Sequence, residues 1–275
     1  MQPRKRLNSS GIRQALRGRL GDALNALKAK TPPGDERIHL ARRALRRTRA
    51  GLRLWRELAG KTAYRKENSA LRDAARIFAP VRDAKAAVDT TDHVLAREKS
   101  PSRRMVLEKL RRKFKQVLAT QRRELDAANA IPECIAMITA SRSRISRRRA
   151  GGEDPVAINP AVKRVCRRGR AALAAVDADG SDGNLHELRK QVKFLAHILE
   201  ILPPRSSRLK RQIMRAKSVA TWLGDDHDLA MLQARIRATA VTPQPALQVL
   251  LEDIWRRRRR LQGRALKQSR AILRK

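Results

Sequence analysis

The sequence predicts an all-α fold, two helical bundles made by internal duplication, and three observations carry that prediction. Leu and Ala dominate a chain rich in strong helix formers and nearly without period-2 runs of β-branched residues. Pro, Gly and Ser punctuate it into helix-length segments with short connections, which favour antiparallel neighbours. Three blocks of sequence also recur in the same order in both halves. At 275 residues there is room for two modules of about 100–150 residues. We place them at 1–150 and 151–275, with an aliphatic core, because only 3% of residues are aromatic.

Taken in order, eleven helical segments are expected. The first, 8–29, stops at Thr31-Pro32-Pro33-Gly34; 36–58, 64–79 and 82–98 follow before Ser100-Pro101-Ser102. The segments 102–129 and 133–149 flank Ile131-Pro132, and 160–177 ends at Asp179-Gly-Ser-Asp-Gly183. Then 184–202 runs to Pro203-Pro204, 205–223 and 226–240 come before Thr242-Pro-Gln-Pro245, and 245–273 closes the chain. Proline cannot continue a helix, and glycine or aspartate favours a turn.

Two of these segments are led by histidine and crowded with cations. One carries His39, Arg42, Arg43, Arg46, Arg47, Arg49 and Arg53; the other carries His186, Arg189, Lys190, Lys193 and His197. An offset of 147 residues puts His39 on His186, Arg42 on Arg189, Arg43 on Lys190 and Arg46 on Lys193. At ~100° per residue, Arg42, Arg43, Arg46, Arg49 and Arg53 fall with His39 inside roughly a 120° arc. Ala44, Leu45, Leu52 and Trp55 lie opposite, as do Leu188, Val192, Leu195, Leu199 and Leu202 in the second helix. Each helix is therefore expected to bury one face and turn a cationic comb towards an anion. In the second comb Phe194, Ala196 and Glu200 stand where the first has Arg47, Arg49 and Arg53.

The repeat extends further. Arg72 through Arg82-Asp83 matches Lys217 through His227-Asp228 at an offset of 145, with Phe78-Ala79 opposite Leu223-Gly224. Leu107-Glu108 through Arg112-Lys113 matches Leu251-Glu252 through Arg256-Arg257 at 144. The joint is placed between Ser141 and Pro160, where Arg147-Arg148-Arg149 is followed by Gly151-Gly152. Two copies packed about a pseudo-twofold axis would face the combs across a shared basic groove.

A formal charge of +39 exceeds what solubility needs and suits nucleic acid, inorganic polyphosphate or an anionic membrane as partner. Cys134 and Cys166 sit in helical segments and read as buried thiols, and no Cys and His pattern has zinc spacing. The basic start, Met1 to Arg6, leads into an amphipathic stretch, and no apolar run approaches a membrane span. The expectation is a soluble cytoplasmic protein with no cofactor. Without a glycine-rich phosphate loop, a nucleophile motif or a carboxylate cluster for metal, no enzyme activity is expected.

The His39-x-x-Arg42-x-x-x-Arg46-x-x-Arg49 comb, the Arg82-Asp83 pair and their partners His186, Arg189, Lys193 and Leu223-Gly224-x-x-His227-Asp228 resemble the CHAD family, histidine-bearing α-helical domains. The resemblance implies two bundles with pseudo-twofold symmetry and a basic central surface that binds inorganic polyphosphate. Members stand alone or are fused to a triphosphate-tunnel enzyme. This chain has no Glu-x-Glu-x-Lys motif and looks like the stand-alone form. The candidate binding set is His39, Arg42, Arg43, Arg46, Arg49, Arg53, Arg72, Arg82, His186, Arg189, Lys190, Lys193 and Lys217.

Arginine suits a phosphate chain because its planar fork donates in bidentate fashion and stays charged, while Lys190, Lys193 and Lys217 act as point charges. Helical repeat brings successive cations round about every 5.4 Å, matched to a flexible polymer. His39 and His186 either donate to phosphate or bond a neighbouring backbone group or carboxylate. Asp83 and Asp228 are expected to cap a helix start or orient an arginine. The alternative reading is a protein that binds nucleic-acid backbone through charge. A third, compatible with the first, is a scaffold anchored on a polyphosphate granule and recruiting a protein partner.

Overall fold

The computed structural model describes residues 9–28, 34–148, 158–202, 206–239 and 245–273. Among them are nine helices: α1 (Ser9–Leu27), α2 (Asp35–Arg76), α3 (Ala79–Leu95), α4 (Pro101–Ala127), α5 (Ala130–Arg147), α6 (Ile158–Ala178), α7 (Asp182–Leu199), α8 (Ser207–Thr239) and α9 (Pro245–Leu273). The fold class is all-α, as the composition requires. The basic start at 1–6, the breaks at 31–33, 203–204 and 242–244, and the joint at 149–157 lie outside the described residues.

Helix ends follow local chemistry. Ser181 Oγ accepts the Asn184 N–H at 3.4 Å before α7, and Ser206 Oγ accepts the Leu209 N–H at 3.1 Å before α8. Pro101 and Pro245 occupy first positions, where a missing N–H costs nothing. Pro132 sits inside the first turn of α5, which begins after left-handed Asn129 (φ 45°), so Ile131-Pro132 opens a helix rather than separating two.

Two expected boundaries differ. The segments 205–223 and 226–240 are one continuous helix, α8. A lone interior glycine costs only about 1 kcal/mol in a helix, and a Cβ at Gly224 would lie 3.6 Å from Arg189 Nη2, so this bare stretch of helix is where the arginine packs. The segments 36–58 and 64–79 are also continuous, but α2 reverses at Gly60 (φ 82°, ψ 167°). Arg42 Nη1 donates to the Ala75 carbonyl (2.5 Å) and Arg49 Nε to Asn68 Oδ1 (3.1 Å). Both pairs are centred on residues 58–59, so the two arms of α2 lie antiparallel.

The chain forms two compact units, Met1–Ala79 with Glu124–Arg168 and Lys193–Met214, and Pro80–Arg123 with Gly169–Val192 and Arg215–Lys275. Each takes residues from both 1–150 and 151–275, so the compact units are a different partition of the chain from the sequence repeats.

In the first unit, Ile12, Leu16, Leu20, Leu24 and Leu27 form a buried stripe on α1, which packs on α2 and α5. Leu45, Leu52 and Trp55 of α2 and Ile138 and Ile145 of α5 are buried too. Contact is close: a Cβ at Gly51 would meet Leu16 Cδ2 at 2.7 Å and Ile201 Cδ1 at 2.9 Å. Buried Glu67 is matched by Arg144 at 2.7 and 3.0 Å, which offsets the cost of burying a carboxylate. In the second unit Leu107, Leu110, Phe114 and Leu118 of α4 are buried, as are Leu223, Leu229 and Leu232 of α8 and Leu250 and Ile254 of α9. Its one deeply placed guanidinium on α9, Arg258, is held by Asp226 (3.0 Å), Gln233 (2.9 Å) and Asp182.

Candidate functional site

In the first unit, the comb on α2 divides into exposed and structural members. His39 and Arg43 are exposed, whereas Arg42, Arg46, Arg49 and Arg53 are half-buried. Arg42 and Arg49 hold the two arms of α2 together through the bonds just described. The second arm adds Arg72, which donates to Asp73 (3.1 Å) and Ser69 (2.9 Å), and the largely exposed Arg76. Burial lowers the Arg49 pKa, and repulsion from Arg53, Arg72 and Arg76 lowers it further. These positive charges therefore sit close together, and Arg76, absent from the sequence-based set, belongs with them.

The end of α7 lies in this same unit, where it meets the comb. Arg53 stacks over the Phe194 ring at 3.9 Å, and Arg47 Nη2 stands 3.5 Å from Glu200 Oε1. Two of the positions at which the second comb departs from the first, Phe194 and Glu200, are thus occupied by partners of the first. Phe194 is a platform for the Arg53 guanidinium and Glu200 a counter-ion for Arg47. Lys193 is half-buried, and His197 Nδ1 lies 3.4 Å from Glu200. Burial lowers the His197 pKa, Glu200 raises it, and Arg47 and Arg46 lower it.

In the second unit a separate cluster forms. The rings of His186 of α7 and His227 of α8 meet with centroids 4.9 Å apart and planes inclined at 47°. Arg82 of α3 donates to Asp83 Oδ1 (2.9 Å) and pairs with Asp228 Oδ1 (3.7 Å). Asp228 lies in the interior of α8 and Asp83 points to Arg82, so the arrangement orients an arginine and does not cap a helix start. Arg189 is only 8% exposed, which places it beneath the surface of the comb instead of along its solvent face. Desolvation lowers its pKa, with Asp228 opposing and Arg82 assisting. His227 is pushed down to about 4 by burial and by Arg189, His186 and Arg82, against the pull of Asp228.

Arg82, Asp83, His227, Asp228, Met231 and Arg235 line an open cleft of about 360 Å³ in this unit. Arg235 also donates to the Asp83 carbonyl at 3.2 Å. His227 and Arg235 are members that the sequence-based set omits. The match of His227-Asp228 to Arg82-Asp83 could have signalled the first; nothing in the spacing signals Arg235. Lys190 is exposed and tied to Glu187, and Lys217 is exposed on α8. Among the described residues, no three His, Cys, Asp or Glu side chains gather as a metal site would require.

Neither cysteine forms a disulfide. Cys134 is buried, donates to the Ala74 carbonyl at 3.5 Å and has its pKa pushed up to about 12 by desolvation, as an inert thiol would. Cys166 is half-buried. No described helix is long and apolar enough to cross a membrane.

A family model described as CHAD domain matches residues 15–237. No curated protein matches the sequence. Two solved structures share the fold. One is PptA from Streptomyces chartreusis, at a TM-score of 0.73 and 15% identity, over 95% of this chain and 98% of that one. The other is the CHAD domain from the plant Ricinus communis, at a TM-score of 0.63 and 15% identity, over 98% of this chain and 92% of that one.

Proposed function

From the premise that this chain belongs to the CHAD domain family, we propose that it binds inorganic polyphosphate without cleaving it. The observation that carries the reading is convergence. Within the second unit Arg82 and His227 line one cleft with His186 and Arg189 close against them, and within the first unit the α2 comb gathers Arg72 and Arg76. Arginines whose forks are already held by Asp83, Asp228 and Phe194 lose little freedom on meeting phosphate. Arg43, Lys190 and Lys217 add exposed charge on α2, α7 and α8, and His39 adds an exposed imidazole.

Duplication about a pseudo-twofold axis is part of the proposal, and a reciprocal pair of contacts supports it. At the repeat offset Arg47 corresponds to Phe194 and Arg53 to Glu200, and the contacts made are Arg47 with Glu200 and Arg53 with Phe194. A twofold relation produces such exchange of partners.

The test is calorimetric titration with long-chain polyphosphate, with duplex DNA as competitor. Because Arg42 holds the α2 arms together, charge reversal belongs at the exposed Arg43 and Lys190. Losing charge-assisted contacts there is expected to weaken binding by about tenfold or more, against little change for Arg147 and Arg148 reversed together. Equal losses, or displacement by DNA at matched charge, would leave only undirected attraction and favour the nucleic-acid reading. Incubation with polyphosphate and magnesium should release no phosphate. Recruitment to polyphosphate granules in the cytoplasm is the cellular counterpart of the same proposal.

A further inference from the structure

The first unit contains a second opening, small and open to solvent, lined by Arg53, Arg56 and Tyr64 of α2 and by Arg164 and Arg168 of α6. Ala161 and Val165, both buried, form its apolar wall. Only Arg53 belongs to the comb; Arg56, Arg164 and Arg168 fall on neither histidine-led face.

Three features distinguish it from incidental surface charge. First, it is built by a backbone special to glycine: the reversal at Gly60, in a φ/ψ region that side chains disfavour, sets Tyr64 of the second arm opposite Arg53 and Arg56 of the first. Second, two of the guanidiniums rest against rings, Arg53 over Phe194 at 3.9 Å and Arg56 over Tyr64 at 5.8 Å, so their positions are set before any ligand arrives. Third, the charge is unbalanced. Among the described residues four arginines and no carboxylate line the opening, and Glu57 beside it pairs with Arg164. Burial and repulsion from Arg56, Arg168 and Arg167 all bear on Arg164.

We propose that this opening is a separate binding site for a compact, multiply charged phosphate group, such as a short oligophosphate or the end of a chain. Four converging guanidiniums satisfy the outward oxygens of a terminal phosphate, which carries more charge than an internal one. Tyr64, the ring in its lining, already faces Arg56, so what the opening offers a ligand is chiefly guanidinium. A ligand would compete with Glu57 for Arg164.

The test uses the full chain and tripolyphosphate. Arg56→Gln with Arg168→Gln is expected to weaken tripolyphosphate by about tenfold or more, and to leave long-chain polyphosphate within about threefold, as a mostly comb-bound polymer loses few of its contacts. Reversal at Arg43 and Lys190 should do the converse. Arg164→Lys, which keeps charge but removes the fork, should give a partial loss and reports on the pocket even if the double variant is unstable, with thermal melting checking the fold of each. Saturable tripolyphosphate binding untouched by these variants would overturn the site, as would no saturable binding by a protein that binds long chains. Tripolyphosphate binding that depends on Arg56 and Arg168, in a protein indifferent to long polyphosphate, would keep this site and remove the proposed function. An orthophosphate arm separates the sources, since equal affinity for orthophosphate means that the site reads a free anion and not a chain end.

Discussion

His227 is held neutral by its surroundings, and that makes the candidate site responsive to pH. Its pKa of about 4 in the folded chain lies below the ordinary value of 6.5, chiefly through burial and then through Arg189, His186 and Arg82. The unfolded chain therefore binds more protons between these values. The contribution of His227 to stability is intact above pH 6.5 and is lost as pH falls towards 4. A bound polyanion reverses the local potential, so the pKa rises and binding takes up a proton. Polyphosphate affinity should strengthen as pH drops from neutral towards the acid side, and calorimetry in buffers of different ionisation enthalpy should show proton uptake that His227→Asn diminishes. Uptake equal in the variant would exclude His227 from contact with the ligand's field. The sequence pattern matches this position to Arg82 but does not reveal its role, because a pair at 4.9 Å between α7 and α8 depends on tertiary packing. Arg42, Arg49 and Arg189 show the same limit. Helical spacing puts them on a cationic arc, yet neighbours in space turn the first two into clamps on α2 and bury the third against Gly224.

Among elements, α2 is the one whose shape the site depends on. Gly60 has φ 82° and ψ 167°, and any side chain there is strained, so Gly60→Ala should destabilise by about 1–3 kcal/mol despite the better helix propensity of alanine. Gly18→Ala, at a helical position of α1 with nothing within 4 Å of the added Cβ, should instead gain up to about 1 kcal/mol. Urea midpoints at constant slope measure both, and a neutral Gly60→Ala would mean that the reversal is not fixed by that residue. Helices and most of their ends were legible, because apolar periodicity, Ser caps and Pro at first positions act locally. The two merged boundaries were not. Gly60 and Gly224 look alike in sequence, but one supplies a reversal between antiparallel arms and the other a bare patch beneath Arg189 inside a straight run. Only tertiary context distinguishes them: the two arms bonded together on either side of Gly60, and Arg189 packed on Gly224. The comb on α2 was legible for the same local reason that its helix was, whereas the additions depend on tertiary packing: Arg76 comes from the second arm of α2, folded back at Gly60, and Arg235 and the α6 arginines from elements distant in sequence.

Across the whole molecule, charge is the dominant fact. With 65 Lys and Arg against 26 Asp and Glu, even complete pairing leaves 39 cations unmatched. The carboxylates are well used: Asp73, Asp83, Asp92, Glu67, Asp226 and Glu200 each face an arginine. Salt thus acts in two opposing ways on the chain alone. It weakens exposed pairs, each contributing about 0–1 kcal/mol, and it screens repulsion among the excess cations, which reaches beyond single contacts. Raising salt from about 0.01 M to about 0.1 M shortens the Debye length from about 30 Å to about 10 Å, a range over which many unmatched cations cease to feel one another. Repulsion should therefore win. The melting temperature of the protein alone is expected to rise with salt, by about 2–4 °C for each kcal/mol of repulsion removed. Polyphosphate at low salt should raise it further by binding the folded state, and this increment should shrink as salt increases, since counterion release drives the association. A melting temperature that falls with salt would show that ion pairs and not excess charge set the stability. A polyphosphate increment indifferent to salt would show that packing contacts outweigh the cationic surface.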